Sequence, residues 1–228
     1  MKSYKECYMS RKLFLFPFGG NAREALLSVL AINECEQEWD VIGFLDDAQS
    51  RHGKECCGIT VVGGREMLGV EPDAFLLAVP GSPATFGRRR EIISGLPIDQ
   101  SRLATIIHPS VERAPDAKVG FNSIIMPNVF ISSNVTIGNH CVILPNTVLS
   151  HDCVIGDYCC VGSNVSVSGS VAIGAGCYIG SGTRMREDIS IGRGTLVGLG
   201  STVIADIPEH VIAAGSPARI LKKIPANE

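Results

Sequence analysis

From Val119 to Val203, every sixth residue of the chain is apolar. Val119, Ile125, Ile131, Ile137, Ile143, Leu149, Ile155, Val161, Val167, Ile173, Ile179, Met185, Ile191, Val197 and Val203 form fifteen consecutive positions without a polar side chain. Glycine often follows, as at Gly138, Gly156 and Gly174. A stronger register appears at eighteen: CVIGDYCCVGSNVSVSGS, VAIGAGCYIGSGTRMRED and ISIGRGTLVGLGSTVIAD stack without a gap. Repeats of this kind bury their apolar sides by stacking on one another. Three hexads per turn predict a three-sided coil of short strands and corners, with successive turns paired in parallel about 4.8 Å apart. Side chains alternate along a strand, so the residue two before each aliphatic also points inward. That second column reads Val129, Val135, Cys141, Thr147, Cys153, Cys159, Val165, Val171, Cys177, Thr183 and Ile189. Its four cysteines are expected as small core fillers, a role that free cysteine suits. The same alternation turns Cys160 outward. It sets His151 and Asp152 at a corner, outside the core, where other coils carry Gly169-Ser170, Glu187-Asp188 and Ala205-Asp206.

Residues 12–107 follow a different pattern. LFLFPF, DVIGFLDD, GITVVGG and DAFLLAVPG read as strands, and LATIIHP as a last strand leading into the coils. Between them, GGNAREALLSVLAINE reads as an amphipathic helix with Asn21 as its N-cap, followed by the helices REMLG and SPATFGRRREIISG. Strands alternating with helices predict a small parallel α/β sheet, Rossmann-like, whose ligands bind beyond the strand C-termini. Those ends are Gly19-Gly20-Asn21, Asp46-Asp47 and Gly81-Ser82. PFGGNA is not a full GxGxxG; it fits a phosphate on a helix N-terminus and an ordinary tight turn equally. A domain this short corresponds to one mononucleotide-sized half of a doubly wound fold, which disfavours a dinucleotide oxidoreductase. Arg88, Arg89 and Arg90 read as a solvated helix face. The expected organisation is a lead-in over 1–11, the α/β domain over 12–107, the coil over 108–206 and a capping segment over 207–228.

Charge and composition narrow the functions. The net charge is −3 with the basic residues scattered, so neither nucleic acid nor a membrane surface is expected as a partner. No apolar run reaches the ~20 residues of a membrane span, and MKSYKECYMSRKLFLF lacks the order of a signal peptide. Nine irregularly spaced cysteines point to a reducing cytoplasm rather than a disulfide framework. His140, His151 and His210 stand at unrelated points around the coil, without the paired spacing of a zinc site; no metal is expected.

With both halves in view, the chain resembles the left-handed β-helix (hexapeptide-repeat) acyltransferases. It is most similar to the sialic acid or sugar O-acyltransferase branch, which includes the bacillosamine-type and perosamine-type nucleotide-aminosugar N-acetyltransferases. The unbroken hexads, SHDCVIGDY, FLDD and the closing VIAAGSPARILKK carry the resemblance, over roughly residues 12–223. It implies a left-handed coil, a homotrimer, acetyl-CoA in the groove between neighbouring coils, and a sugar nucleotide at the α/β domain. It makes His151 the general base and Asp152 the acidic residue behind it. It places the Gly169 N–H at the acetyl oxygen, and Ser181, Gly198, Pro217 and Arg219 along the CoA groove. Gly19, Gly20, Asn21, Asp46, Asp47 and Ser82 fall where the nucleotide is held. Two departures stand out. The family's usual histidine is Cys160 here, expected first as a groove-lining CoA contact, then as an inert thiol, and last as a nucleophile. The phosphate turn has Pro17 for its first glycine and Asn21 for its histidine.

The function this implies is N-acetylation of a nucleotide-linked 4-aminosugar for surface polysaccharide or glycan synthesis, by direct transfer without an acyl-enzyme. Acetyl transfer needs a base near neutral pH, which histidine supplies, and a donor for the oxyanion. The competing expectations are O-acetylation of a sugar such as sialic acid, and a non-catalytic trimeric sugar-nucleotide-binding scaffold.

Overall fold

The computed structural model describes residues 10–225; the lead-in positions 1–9 lie outside the described residues. Strand β1 (Arg11–Phe16) starts inside the segment expected as lead-in. With β2 (Trp39–Leu45), β3 (Glu55–Cys56), β4 (Ile59–Gly63) and β5 (Phe75–Ala78) it forms a sheet of order β3-β4-β2-β1-β5, parallel except for the β3–β4 hairpin. Helix α1 (Gly20–Cys35) buries Ala22, Ala25, Leu26 and Val29 between this sheet and the coil. Helices α2 (Met67–Val70) and α3 (Arg89–Ser94) cover the other side, where Leu68 and Ile93 pack on Phe14 and Phe16. Asn21 is not the N-cap. The helix starts one residue earlier, behind an extended Gly19, and the Asn21 amide instead donates to the carbonyls of Val79 (3.2 Å) and Gly81 (3.4 Å). It ties the end of β5 to α1.

The second half is the three-sided coil. Each two-residue strand pairs in parallel with the one eighteen residues later, as Val148 with Ser166 and Ser166 with Arg184. The first face runs through Ile106–Ile107, Ile124–Ile125, Val142–Ile143, Cys160–Val161, Tyr178–Ile179 and Leu196–Val197. The second face includes Phe130–Ile131 and Val148–Leu149, and the third Thr136–Ile137 and Val154–Ile155. Both inward columns are buried as their spacing predicts, apart from a half-buried Val119 in the opening coil. Each buried aliphatic contributes about 1.5–3 kcal/mol. The four inward cysteines also donate Sγ–H to a carbonyl of the next coil, Cys153 to Ser168 at 3.0 Å and Cys159 to Gly174 at 3.1 Å. Thr147 does the same to Gly162 at 2.9 Å. At these positions one small side chain both fills the core and satisfies a buried carbonyl.

Corners repeat every six residues in the left-handed backbone region, at Asn122, Asn128, Asn134, His140, Asn146, Asp152, Tyr158 and Asn164. Asparagine and aspartate tolerate that conformation best after glycine.

Three expectations are corrected here. Ile106–Ile107 pairs with Ile124–Ile125, so LATIIHP supplies the first rung of the coil, and Leu103 alone bridges to the α/β sheet at Leu76. At the far end the chain does not leave the coil at 207. Val211–Gly215 adds another parallel rung beside Leu196–Val197, because Val211 and Ala213 keep the inward alternation; Ala218–Lys223 then folds back antiparallel on it. Third, Arg89 is no solvated residue. It is 1% exposed and donates to the carbonyls of Pro80, His140 and, at 3.0 Å, Tyr158. It bolts the α/β domain to the corner between the third and first faces.

Candidate active site

His151 stands at the corner between the second and third faces with its side chain 61% exposed. Asp152 follows in the left-handed conformation (φ 62°), a turn that folds its carboxylate back beside the imidazole. Oδ2 lies 2.7 Å from His151 Nδ1, and Oδ1 accepts from Asn134 Nδ2 at 2.7 Å. The Asn134 amide and then the His151 ring hold the Asp152 carboxyl below the usual carboxylate range. With Nδ1–H directed at Asp152, Nε2 is the nitrogen left to accept a proton. Asn134 was not singled out in the sequence, although it sits eighteen residues before Asp152.

The ring lies over Gly169, one coil on. A Cβ built there would fall 2.5 Å from Cε1 and 2.6 Å from Nε2. Among the described residues nothing accepts the Gly169 N–H. The imidazole and a backbone amide without a partner thus belong to adjacent coils of one corner, the two kinds of group that proton abstraction coupled to oxyanion formation calls for. Gly169→Ala is expected to fold normally, because its backbone needs no positive φ, and to lose about 10²-fold in turnover as the ring is pushed aside. Steady-state rates beside thermal melts check this.

The structure does not bring every expected residue to this corner. Ser181 and Gly198 lie at the corner between the first and second faces, where Ser181 Oγ accepts from Ser163 N–H at 3.1 Å and Gly198 N–H donates to Ala213 at 2.8 Å. Pro217 and Arg219, both exposed, sit in and after the tight turn that follows Gly198's neighbouring rung. In one chain these residues and His151 occupy different corners. Cys160 is corrected outright as a CoA contact. It faces outward from the coil as its register dictates, but the α/β domain covers that face, leaving it 2% exposed in the interface with Ala22, Leu26 and Leu77. Burial pushes its thiol up to about 11, which also excludes a nucleophile. His140, expected at an outward or corner position, is at a corner yet buried. It stacks on Tyr158 and meets Asn122 Nδ2 at 2.9 Å, and burial lowers its pKa to about 4, keeping it neutral.

At the α/β domain, Gly19 and Gly20 open α1 with room beside them: a Cβ at Gly20 would meet nothing within 4 Å. Asp46 is 5% exposed and already accepts from Phe18 N–H (3.1 Å), Ala48 N–H (3.0 Å) and Arg51 Nη1 (3.0 Å). Asp47 is paired with Arg65 at 2.6 Å, which holds its carboxyl low. Both carboxylates brace the strand ends. Ser82 bonds Thr85 at 2.9 Å in the loop after β5. Among the described residues no group of three or more His, Cys, Asp or Glu is placed to hold a metal, and no helix is long and apolar enough to cross a membrane.

Comparison with known proteins follows from this geometry. The model of the bacterial transferase hexapeptide (six repeats) matches residues 116–151, 134–169 and 152–187. Among curated proteins none matches the chain. Solved structures do, over nearly its whole length. The acetyltransferase domain of PglB from Neisseria gonorrhoeae is 24% identical, covers 93% of this chain and 100% of its own, and superposes with a TM-score of 0.81. PerB from Caulobacter crescentus, in complex with CoA and GDP-perosamine, is 26% identical, with 94% and 98% covered and a TM-score of 0.79. WeeI from Acinetobacter baumannii gives 23%, 93% and 100%, and 0.77. Repeat and fold together show a coil of hexapeptide repeats joined to an N-terminal α/β domain, the architecture these acetyltransferases share.

Proposed function

We propose that the chain transfers acetyl from acetyl-CoA to the 4-amino group of a nucleotide-linked sugar in the cytoplasm, with His151 as the base. The observation that carries this reading is the Asn134–Asp152–His151 relay lying over the unpartnered Gly169 N–H. The similar enzyme from Caulobacter crescentus supports the ligands, since its structure holds both CoA and GDP-perosamine. Two further structures of that enzyme replace a single histidine and hold the same pair. The acetyltransferase domain of PglB has been captured with acetyl coenzyme A.

The amine nitrogen attacks the thioester carbonyl, forming a C–N bond, while His151 Nε2 takes the amine proton. Asp152 stabilises the resulting imidazolium, and the Gly169 N–H receives the oxyanion, worth about 3 kcal/mol. Collapse breaks the C–S bond, and the imidazolium returns its proton to the CoA thiolate. No enzyme nucleophile takes part.

A homotrimer completes the site in this reading. The corners bearing His151 and Ser181 flank the second face, which exposes Phe130 (43%) and Val148 (38%) to solvent. Three chains with that face turned to a common axis bring the Ser181–Gly198–Arg219 corner of one beside His151 of the next. CoA then lies between chains, and the amine reaches it from a nucleotide held at Gly19, Gly20 and the ends of β2 and β5.

The test is CoA release with GDP-, UDP- and dTDP-linked 4-amino-6-deoxy sugars against the matching 4-hydroxy sugars and free sialic acid, with the mass of the assembly measured on the same sample. Turnover confined to an amino sugar in a trimer is expected. Preference for a hydroxyl acceptor would overturn the N-acetyl assignment.

A further inference from the structure

The corner between the third and first faces is a ladder of side chains that stops partway up. Its left-handed positions carry Asn122, His140, Tyr158, then Gly176 and Gly194, then His210. Asn122 and His140 are buried, and the His140 ring stacks on Tyr158 with centroids 4.5 Å apart and planes 12° from parallel. Above Tyr158 the side chains cease: a Cβ at Gly176 would meet no atom within 4 Å. The His210 imidazole folds down on Gly194, where an added Cβ would lie 2.7 Å from Nδ1. Two coil spacings, each about 4.8 Å, thus separate the tyrosine from the imidazole. The notch opens into a cavity of about 640 Å³, within the ~300–1,000 Å³ usual for small-molecule sites.

The charge facing this cavity is one-sided. Arg88 and Arg90 reach it from the α/β domain, Arg193 and His210 from the coil, and among the described residues no carboxylate lines it, in a chain of net charge −3. Arg88 and Arg193 are each steadied from outside the lining, by Glu91 at 3.1 Å and Glu209 at 2.8 Å. Arg90 lies 5.1 Å from the centroid of Tyr158. Phe86, Ala175 and Ile224 supply an apolar wall. Guanidiniums converging from separate elements are the usual means of holding phosphate oxygens. The cavity is distinct from the catalytic corner, which lies between the second and third faces. It also shares no lining residue with the nucleotide turn, since Gly19, Gly20, Asn21, Asp46, Asp47 and Ser82 all lie outside its wall.

We propose that the notch is a second anion site, for an organic phosphate: its phosphates on Arg88, Arg90 and Arg193, its carbon body on Phe86, Ala175 and Ile224. Since the guanidiniums come from both halves of the chain, the bound molecule ties the α/β domain to the coil. Nothing in this depends on which sugar is acetylated or on His151.

Isothermal titration of the full-length protein with inorganic pyrophosphate and with ADP tests it, in the Gly20→Val background so that the α1 turn contributes less. Adding Arg90→Gln and Arg193→Gln is expected to weaken both probes at least ~10-fold, the loss of one or two charge-assisted hydrogen bonds. ADP is expected to bind more tightly than pyrophosphate, by a margin that Phe86→Ala removes. Unchanged affinity after the two arginine substitutions overturns the site. Equal affinity for the two probes overturns the organic ligand.

Discussion

His151→Ala is expected to lower turnover by at least ~10²-fold while the affinity for acetyl-CoA stays within twofold. The imidazole is largely exposed and buries no core surface, so its removal leaves the coil ladder intact and melting unchanged. What disappears is the acceptor for the amine proton, a term commonly worth ~10²–10⁴. Two graded variants separate the relay from the base. Asp152→Asn keeps an αL-tolerant residue at the corner but removes the charge that orients Nδ1–H, and should fall between the parent and His151→Ala. Asn134→Ala removes the 2.7 Å bond to Asp152 alone and should cost least. Rate constants at saturating acceptor, with CoA affinity from titration, decide the order. A His151→Ala protein of full activity ends the assignment of the base.

The coil was legible in the sequence because its two inward columns repeat at six and eighteen without interruption, and burial follows the register nearly residue for residue. The exposed corner position of His151 was legible for the complementary reason, as a polar residue that packing does not explain. A further signal went unread: Asn122, Asn128, Asn134, Asn146 and Asn164 fall on the same six-residue grid, one residue per corner. That grid explains why the residue after His151 is an aspartate in the left-handed region. It also points to Asn134, since a corner amide one coil away is in reach of the carboxylate. What the pattern concealed was the first face. Outward positions such as Val142, Cys160 and Tyr178 have the same period as outward positions facing water. Only the docked α/β domain turns Cys160 into an interface residue and Arg89 into a buried cation. Periodicity reports which way a side chain points, not what another domain lays over it.

Arg89→Met is the second large effect, and it acts on stability. The guanidinium is 1% exposed and spends its donors on three carbonyls, those of Pro80, His140 and Tyr158. Methionine retains much of the stem's volume but donates nothing, so buried carbonyl oxygens lose their partners. Each such loss costs about 1–3 kcal/mol, and a total of roughly 3 kcal/mol lowers the melting temperature of a chain this size by about 6–12 °C. The loss should be local. Hydrogen exchange is expected to quicken in β5, α3 and the 80–88 loop, while the ladder through Leu149, Val167 and Met185 on the far face stays protected. Arg89→Lys keeps the charge and a donor group but not the guanidinium's spread over three nitrogens, and should recover part of the melting temperature, which keeps the test readable if the methionine variant does not fold. If Arg89→Met melts within about 2 °C of the parent, the two halves are held by the apolar contacts of α1 with Ile124 and Val142 and by the paired hydrogen bonds of Asn122 with Ala78, and the buried cation is not what joins them.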